Sequence, residues 1–136
     1  MRIVKCCASV KLQGGERKWR HMARLVSYDG LVRVRGFRAS DDQKVAGHKR
    51  IVVGSMSREN RVITIRVSHG CGRAEFDNPR TYSPLSTFGH ELGHFILGQR
   101  GKRDWTRARP FHDNAEQRSD PVERACDRYS RILRAK

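Results

Sequence analysis

The fold of this chain is decided by one stretch, residues 83–98, which reads SPLSTFGHELGHFILG. A serine followed by a proline is typical of a helix start, because the serine can cap free N–H groups and proline fits the first turn. Gly98 lies where a glycine often ends a helix. Between these points apolar residues recur at spacings of three and four, as in a helix with one buried face: Leu85, Phe88, Leu92, Phe95 and Ile96.

Two glycines, Gly89 and Gly93, lie inside this predicted helix. In a helix interior each costs about 1 kcal/mol relative to alanine. We therefore expect their small size to be used, for example by a neighbouring backbone that approaches closely.

The same helix carries the pattern HExxH, from His90 to His94. Two histidines four residues apart project from one helix face and can hold one Zn²⁺, and the glutamate after the first histidine can polarise a bound water. We therefore predict that His90 and His94 bind one catalytic zinc ion, with Glu91 acting on the water. The alternative is a helix with two solvated histidines and a surface glutamate.

A catalytic zinc normally has three protein ligands and a water, so a third ligand is needed. The extended pattern HExxHxxGxxH is excluded, because Leu97 and Arg100 occupy its last two positions. A second helix is predicted to begin at Asp120-Pro121. One side of that helix repeats apolar residues: Val122, Cys126, Tyr129 and Leu133.

Glu123 on this second helix is the candidate third ligand. Asp127 follows one turn later on the same face, where it can accept a proton from the outer nitrogen of a ligand histidine. The alternative for Glu123 is a local role, since with Asp120 as N-cap it completes a capping box. His112 and Asp113, between the helices, are reserve ligands.

HExxH on one helix and ExxxD on the next resembles the gluzincin zinc peptidases, in particular the small ImmA/IrrE type and minimal gluzincins. The resemblance covers residues 60–134 and implies His90, His94 and Glu123 as zinc ligands and Glu91 as general base. Members of that family often cleave a repressor or another DNA-bound regulator. Five residues take the places of the family's second-helix pattern: Glu123, Cys126, Asp127, Tyr129 and Ser130.

The first half of the chain predicts β structure. A strand is expected from Ile3 to Leu12, and Asp29-Gly30 between residues 24–28 and 31–37 predicts a hairpin. In the second of these runs Arg33 and Arg35 alternate with valines, which indicates a solvated sheet face or, as the alternative, contacts with phosphate.

A second hairpin is predicted between residues 50–54 and 61–68, with a polar turn at 57–60. Its strand Val62–Val67 is expected either at a sheet edge, where an extended peptide can pair with it, or as an ordinary core strand. The polar loop 99–119 contains the basic, aromatic-bearing segment 100–111, which is either a binding loop for nucleic acid or an acidic substrate, or a plain surface loop.

These predictions define a small, zincin-like α+β single domain over residues 1–136. It consists of a basic, β-rich extension with antiparallel hairpins (1–45) and a catalytic core (46–136), in which the HExxH helix precedes the helix with the third ligand. The predicted function is hydrolysis of a peptide bond in a protein or peptide substrate. Donors to the oxyanion of the tetrahedral intermediate are expected among Tyr82, His112 and Tyr129.

The chain has 29 Lys and Arg against 14 Asp and Glu, a net charge of +15. Such a charge favours nucleic acid or acidic protein partners, unless it only reflects an arginine-rich composition. The rival interpretation is a nucleic-acid-binding module with a structural or vestigial metal site, closed by Cys71 or His112. The four cysteines show no CxxC spacing, and there is no apolar segment for a membrane or a signal, so a cytoplasmic location is predicted.

Overall fold

The structure, a computed structural model, describes residues 1–36, 42–45, 48–51, 53–67, 83–99 and 120–136. Within these ranges the chain is a small α+β domain with six strands and three helices. In chain order they are β1 (Arg2–Lys5), α1 (Glu16–Leu25), β2 (Leu31–Gly36), β3 (Asp42–Val45), β4 (His48–Ile51), β5 (Gly54–Ser57), β6 (Val62–Val67), α2 (Pro84–Gln99) and α3 (Pro121–Ala135).

Four strands form a mixed sheet in the order β1-β2-β6-β5. Strands β1, β2 and β6 are parallel, whereas β5 pairs antiparallel with β6, and β3 and β4 form a separate antiparallel pair. One sheet face supplies the centre of the core through four side chains with no exposed surface: Val32, Val34, Ile63 and Ile65. Since β1 and β2 come from residues 1–45, that segment belongs to the same sheet as the predicted catalytic core.

The predicted N-terminal hairpins are wrong. The first strand ends at Lys5, and α1 occupies residues 16–25, so β1 and β2 are parallel strands joined through a helix. The physical reason lies in Trp19, Met22 and Ala23. Met22 and Ala23 follow Trp19 by three and four residues, so all three lie on one face of a helix, and all three are buried. Parallel neighbours need such a long connection, whereas a two-residue turn can only join antiparallel strands.

Gly30 is required by a close contact and not by a hairpin turn. A Cβ atom at this position would lie 2.3 Å from the carbonyl oxygen of Arg61 and 2.6 Å from the hydroxyl oxygen of Tyr28. That hydroxyl lies 2.8 Å from the Arg61 carbonyl oxygen and 2.7 Å from that of Leu31, where it donates its hydrogen bond. The Asp-Gly pair therefore reflects the packing between the starts of β2 and β6.

The second hairpin is confirmed, with a shift in its first strand. Residues 54–57 pair with β6, while 50 and 51 belong to β4. Strand β6 lies between β2 and β5, so its placement at a sheet edge is wrong, and β5 is an edge among the described strands of this sheet. The solvated face predicted for β2 holds for the exposed Arg33, but Arg35 is only 8% exposed and donates to the carbonyl of Gly36.

The start of α2 is confirmed, and its cap involves two parts of the chain. Ser83 Oγ accepts a hydrogen bond from the backbone N–H of Ser86, as predicted. Gln13 Oε1 accepts one from the backbone N–H of Leu85, which ties the loop before α1 to the start of α2. The helix extends one residue past Gly98, to Gln99.

Helix α2 packs on the sheet through the predicted apolar face. Phe88, Leu92 and Phe95 are buried in the same core cluster as the sheet valines and isoleucines. The ring of Phe88 stacks on Trp19 of α1, with centroids 4.6 Å apart. The apolar spacing in the sequence therefore identifies the face of α2 that holds the helix against the sheet.

A second face of α2 contacts α3 through the two glycines. A Cβ at Gly89 would lie 2.9 Å from the Cα of Ser130, and a Cβ at Gly93 would lie 2.8 Å from the Cα of Cys126. Ser130 Oγ also donates a hydrogen bond of 2.7 Å to the carbonyl of Ser86. The expected close approach of a neighbouring backbone is confirmed.

The described cysteines Cys6, Cys7 and Cys126 are thiols and form no disulfide. Among the described helices none combines the length and apolar character that crossing a bilayer requires. The cytoplasmic location stays a prediction.

We predict that Gly93→Ala lowers the free energy of unfolding by about 1–3 kcal/mol, although alanine is the better helix former, because the added methyl group meets the α3 backbone. Urea unfolding followed by circular dichroism measures the change. Arg128→Ala, at an exposed position of α3, is the control and should stay within about 0.5 kcal/mol of the wild type. A Gly93→Ala variant as stable as the wild type contradicts the close contact.

Candidate metal centre

Helices α2 and α3 bring the predicted ligands together. Nε2 of His90 lies 2.7 Å from Oε2 of Glu123, and Nε2 of His94 lies 3.6 Å from Oε1 of the same carboxylate. Asp120 is the N-cap of α3, as predicted, and its carboxylate accepts from the backbone N–H groups of Val122 and Glu123. The carboxylate of Glu123 thus faces both histidines of the HExxH motif from the neighbouring helix.

Asp127 lies where the sequence places it, one turn after Glu123. Its Oδ1 is 2.7 Å from Nδ1 of His90. The N–H at Nδ1 can donate to this carboxylate, which fixes the ring and leaves Nε2 directed at Glu123. Of the two histidines, His90 is therefore the one whose orientation Asp127 controls.

The cluster is largely removed from solvent. The side chains of His90, His94 and Glu123 expose 16%, 14% and 14% of their surface. Oε2 of Glu123 is fully buried, and Nε2 of His90 faces it at 2.7 Å. A negative charge is costly to bury alone, so this oxygen requires a positive partner, which a protonated His90 or a bound metal ion supplies.

The pKa values follow from these contacts. Burial opposes the charged form of His90, but the hydrogen bonds with Asp127 and Glu123 outweigh it and raise its pKa to about 10. Burial acts in the same way on His94, and Glu123 raises its pKa as well. Burial favours protonation of Glu123, but the two histidines outweigh it and hold the pKa of that carboxyl well below its usual range. The neighbouring carboxylates therefore favour the protonated forms of these histidines.

Glu91 lies on α2 against strand β5. A Cβ added to Gly54 would lie 3.0 Å from Glu91 Oε1, so the strand passes directly over this carboxylate, which is 6% exposed. Burial raises the pKa of Glu91, while the positive charge of Arg66 on β6 and of the two histidines opposes the rise. A raised pKa makes this carboxylate a stronger proton acceptor than an exposed glutamate.

Cys126 is a member of the cluster that the sequence interpretation missed as a ligand. Its Sγ and one nitrogen of each of His90 and His94 all lie within 4.8 Å of one another. The sequence pattern assigned Cys126 to the apolar side of α3, and it is indeed fully buried beside Leu97 and Val122. The sequence feature that could have identified Cys126 as a ligand is its position three residues after Glu123, which places both residues on one helix face.

The donor set fits a divalent transition metal such as zinc. Imidazole, carboxylate and thiolate are the ligands that zinc prefers, and in a tetrahedral site they lie about 3.3–3.6 Å apart. The 3.6 Å between His94 and Glu123 falls in that range, whereas the 2.7 Å between His90 and Glu123 is a hydrogen-bond distance that would lengthen by about 0.6 Å on metal binding. A metal ion in such a site would replace the imidazole proton of His90 as the positive partner of the buried Oε2 of Glu123.

Several predicted residues are not in this cluster. Tyr129 is partly buried and packs beside Leu97 and Cys126. The remaining predicted site residues lie outside the described residues: Tyr82, His112, Asp113, Cys71 and the basic segment 100–111.

Comparison with protein-family models, curated proteins and solved structures finds no match to this chain.

We predict that Asp127→Asn weakens zinc binding by about 10- to 100-fold, because the ring of His90 loses its carboxylate acceptor. Competition with a chromophoric chelator measures the zinc affinity. Asp29→Asn is the matched control, since Asp29 is exposed and contacts only the surface Arg61 among the ion pairs of the described residues. Equal zinc affinity in Asp127→Asn and wild type contradicts the assigned role.

Proposed function

We propose that this protein is a zinc-dependent peptidase with a zincin-like layout, of the gluzincin type that the ImmA/IrrE-like motif indicates. One observation carries the proposal: the carboxylate of Glu123 on α3 faces both histidines of the HExxH motif on α2, at 2.7 and 3.6 Å. In this proposal His90, His94 and Glu123 bind the metal, and Asp127 orients His90.

A bound zinc ion would supply a Lewis acid for the scissile carbonyl and lower the pKa of a bound water. Glu91 accepts the proton of the attacking water and returns it to the departing amine. Its burial beneath β5 suits this task, because burial raises the pKa of the carboxylate and so strengthens it as a proton acceptor. Tyr129, Tyr82 and His112 stay candidates for the oxyanion donor.

The position of strand β5 supports the proposal that the substrate is a peptide. It is an edge of the four-stranded sheet among the described strands, and its Gly54 lies against Glu91. An extended peptide that pairs with an exposed strand edge obtains main-chain hydrogen bonds and is held beside the strand. The proposed substrate is therefore an extended segment of a protein. The family resemblance suggests that this protein is a DNA-associated regulator.

A second candidate function is nucleic-acid binding by the basic surface, with a structural or vestigial metal site. It is favoured by α3, which exposes Arg124, Arg128 and Arg131 at spacings of four and three. Residues at this spacing form one stripe along a helix and can contact successive phosphates. This candidate uses the outer face of α3 and leaves the inner face with Glu123 free for the metal.

We predict about one zinc ion per chain in the wild type, weakened binding in Glu123→Ala and full occupancy in Glu91→Gln. Peptidase activity should be lost in both variants, because one lacks a ligand and the other lacks the proton acceptor. Metal analysis gives the number of zinc ions per chain. Incubation of the protein with a peptide library, followed by mass spectrometry, detects the peptides that it cleaves.

Glu16→Gln is the matched control for these variants, since Glu16 is an exposed glutamate on α1 that pairs only with Arg20 among the described ion pairs. It should keep both zinc and activity. Full zinc affinity in Glu123→Ala removes Glu123 from the ligand set. A peptidase-active Glu91→Gln variant refutes the proposed general base.

For the second candidate, we predict that DNA binding weakens with salt and persists in Glu91→Gln. Neutralising Arg124, Arg128 and Arg131 with glutamine should flatten the dependence of log K on log salt by about 0.9 for each phosphate that the protein no longer neutralises. Fluorescence anisotropy with a labelled duplex measures both effects. An unchanged salt dependence in the triple variant excludes the α3 stripe as the binding surface.

A further inference from the structure

The fourth position around the proposed metal is faced by a side chain of the protein itself. Sγ of Cys126 lies within 4.8 Å of one nitrogen of His90 and one of His94, which themselves lie within that distance of each other. The cysteine follows Glu123 by three residues on α3, so both side chains leave the same helix face. The sulfur of Cys126 and the carboxylate of Glu123, both on α3, thus each lie close to the imidazole pair of α2.

The close approach of the helices determines this position. Gly93 lies between the two histidines in sequence, and a Cβ there would be 2.8 Å from the Cα of Cys126 and 3.1 Å from its Cβ. The backbone of α3 therefore contacts α2 within the HExxH turn, beside the face that carries the two imidazoles. Packing beside Leu97 and Val122 explains the burial of Cys126, but it does not explain why the sulfur faces the histidine pair.

We propose that Cys126 is a fourth metal ligand, so that in the resting protein the metal is held by His90, His94, Glu123 and the Cys126 thiolate. The proposal rests on the proposed zinc site and adds to it that the chain occupies the coordination position which a catalytic water needs. On binding, the sulfur–metal bond forms, the S–H proton leaves to solvent and a metal-bound water is displaced.

The charge balance favours this set of donors. Two neutral imidazoles, one carboxylate and one thiolate neutralise a divalent cation, and a neutral cluster is less costly to bury than a charged one. In this set the metal ion would replace the imidazole proton of His90 as the positive partner of the buried Oε2 of Glu123. Four protein ligands are typical of a closed zinc site, whereas a catalytic site keeps one position open. In a resting site of this kind, water reaches the metal when the thiolate leaves it during the reaction.

Cobalt substitution tests the ligand directly, because Co²⁺ binds the same nitrogen, oxygen and sulfur donors and a cobalt–thiolate bond absorbs strongly in the near ultraviolet. We expect this charge-transfer band in the wild type. It should be absent in Cys126→Ala and Cys126→Ser, and the cobalt affinity of both variants should fall at least about tenfold. Cys6→Ala is the matched control, since Cys6 is an exposed thiol outside the cluster, and it should retain the band.

The complementary variant leaves Cys126 unchanged and replaces the other three cysteines, Cys6, Cys7 and Cys71, with alanine. Its only thiol is Cys126, so the band must persist in it. This variant decides the assignment even where a substitution at the fully buried Cys126 prevents folding.

Three of the remaining outcomes overturn the fourth ligand alone, and one overturns the zinc site as well. Cobalt that depends on His90 but shows no thiolate band in the wild type overturns the fourth ligand and leaves the three-ligand site intact. A band that survives in Cys126→Ala, or that disappears from the variant with Cys126 alone, also overturns it. No cobalt uptake by the wild type overturns both proposals.

Discussion

The contact between α2 and α3 through Gly89 and Gly93 is the constraint on which the rest of the structure depends. In a helix interior these glycines cost about 1 kcal/mol each relative to alanine. In return the α3 backbone approaches so closely that any side chain at Gly93 would meet the Cα of Cys126. Only at this separation can a glutamate on one helix reach the two histidines of the other. The hydrogen bond from Ser130 to the Ser86 carbonyl fixes the same approach one turn away.

Because α2 meets different neighbours on each side, its residues divide into faces with different tasks. Phe88 and Leu92 pack against the sheet, the two glycines leave room for the backbone of α3, and Glu91 lies under β5. The sequence predicts this helix well, since its cap, its apolar spacing and HExxH are all local patterns. It predicts α1 poorly, because the few apolar residues of that helix lie among charged ones. The hairpin prediction at Gly30 was wrong because the glycine serves a contact with Arg61, which is distant in sequence.

The candidate site shows the same division between local and long-range information. Asp127 could be predicted as a partner of a ligand histidine, because its spacing from Glu123 is fixed by one helix, and the structure places it 2.7 Å from His90. Cys126 has a similar sequence relation to Glu123, yet its residue type also fits a buried apolar position. Only the tertiary approach at Gly93 distinguishes a packing cysteine from one that faces two imidazoles. The position of β6 inside the sheet likewise depends on strand pairing that no local pattern specifies.

The proposed metal centre would bind a cation in a chain of net charge +15, and the geometry explains how the two are compatible. The exposed arginines of α3 point into solvent, where their fields are screened over about 8 Å at physiological ionic strength. The carboxylates of Glu91 and Glu123 lie in the protein interior and are screened much less. The local field at the histidines is therefore set by these acids and by Asp127, and not by the overall charge. Added salt should then act on contacts of the outer arginine stripe and leave the metal centre largely unaffected, so the basic surface and the metal chemistry are physically separable.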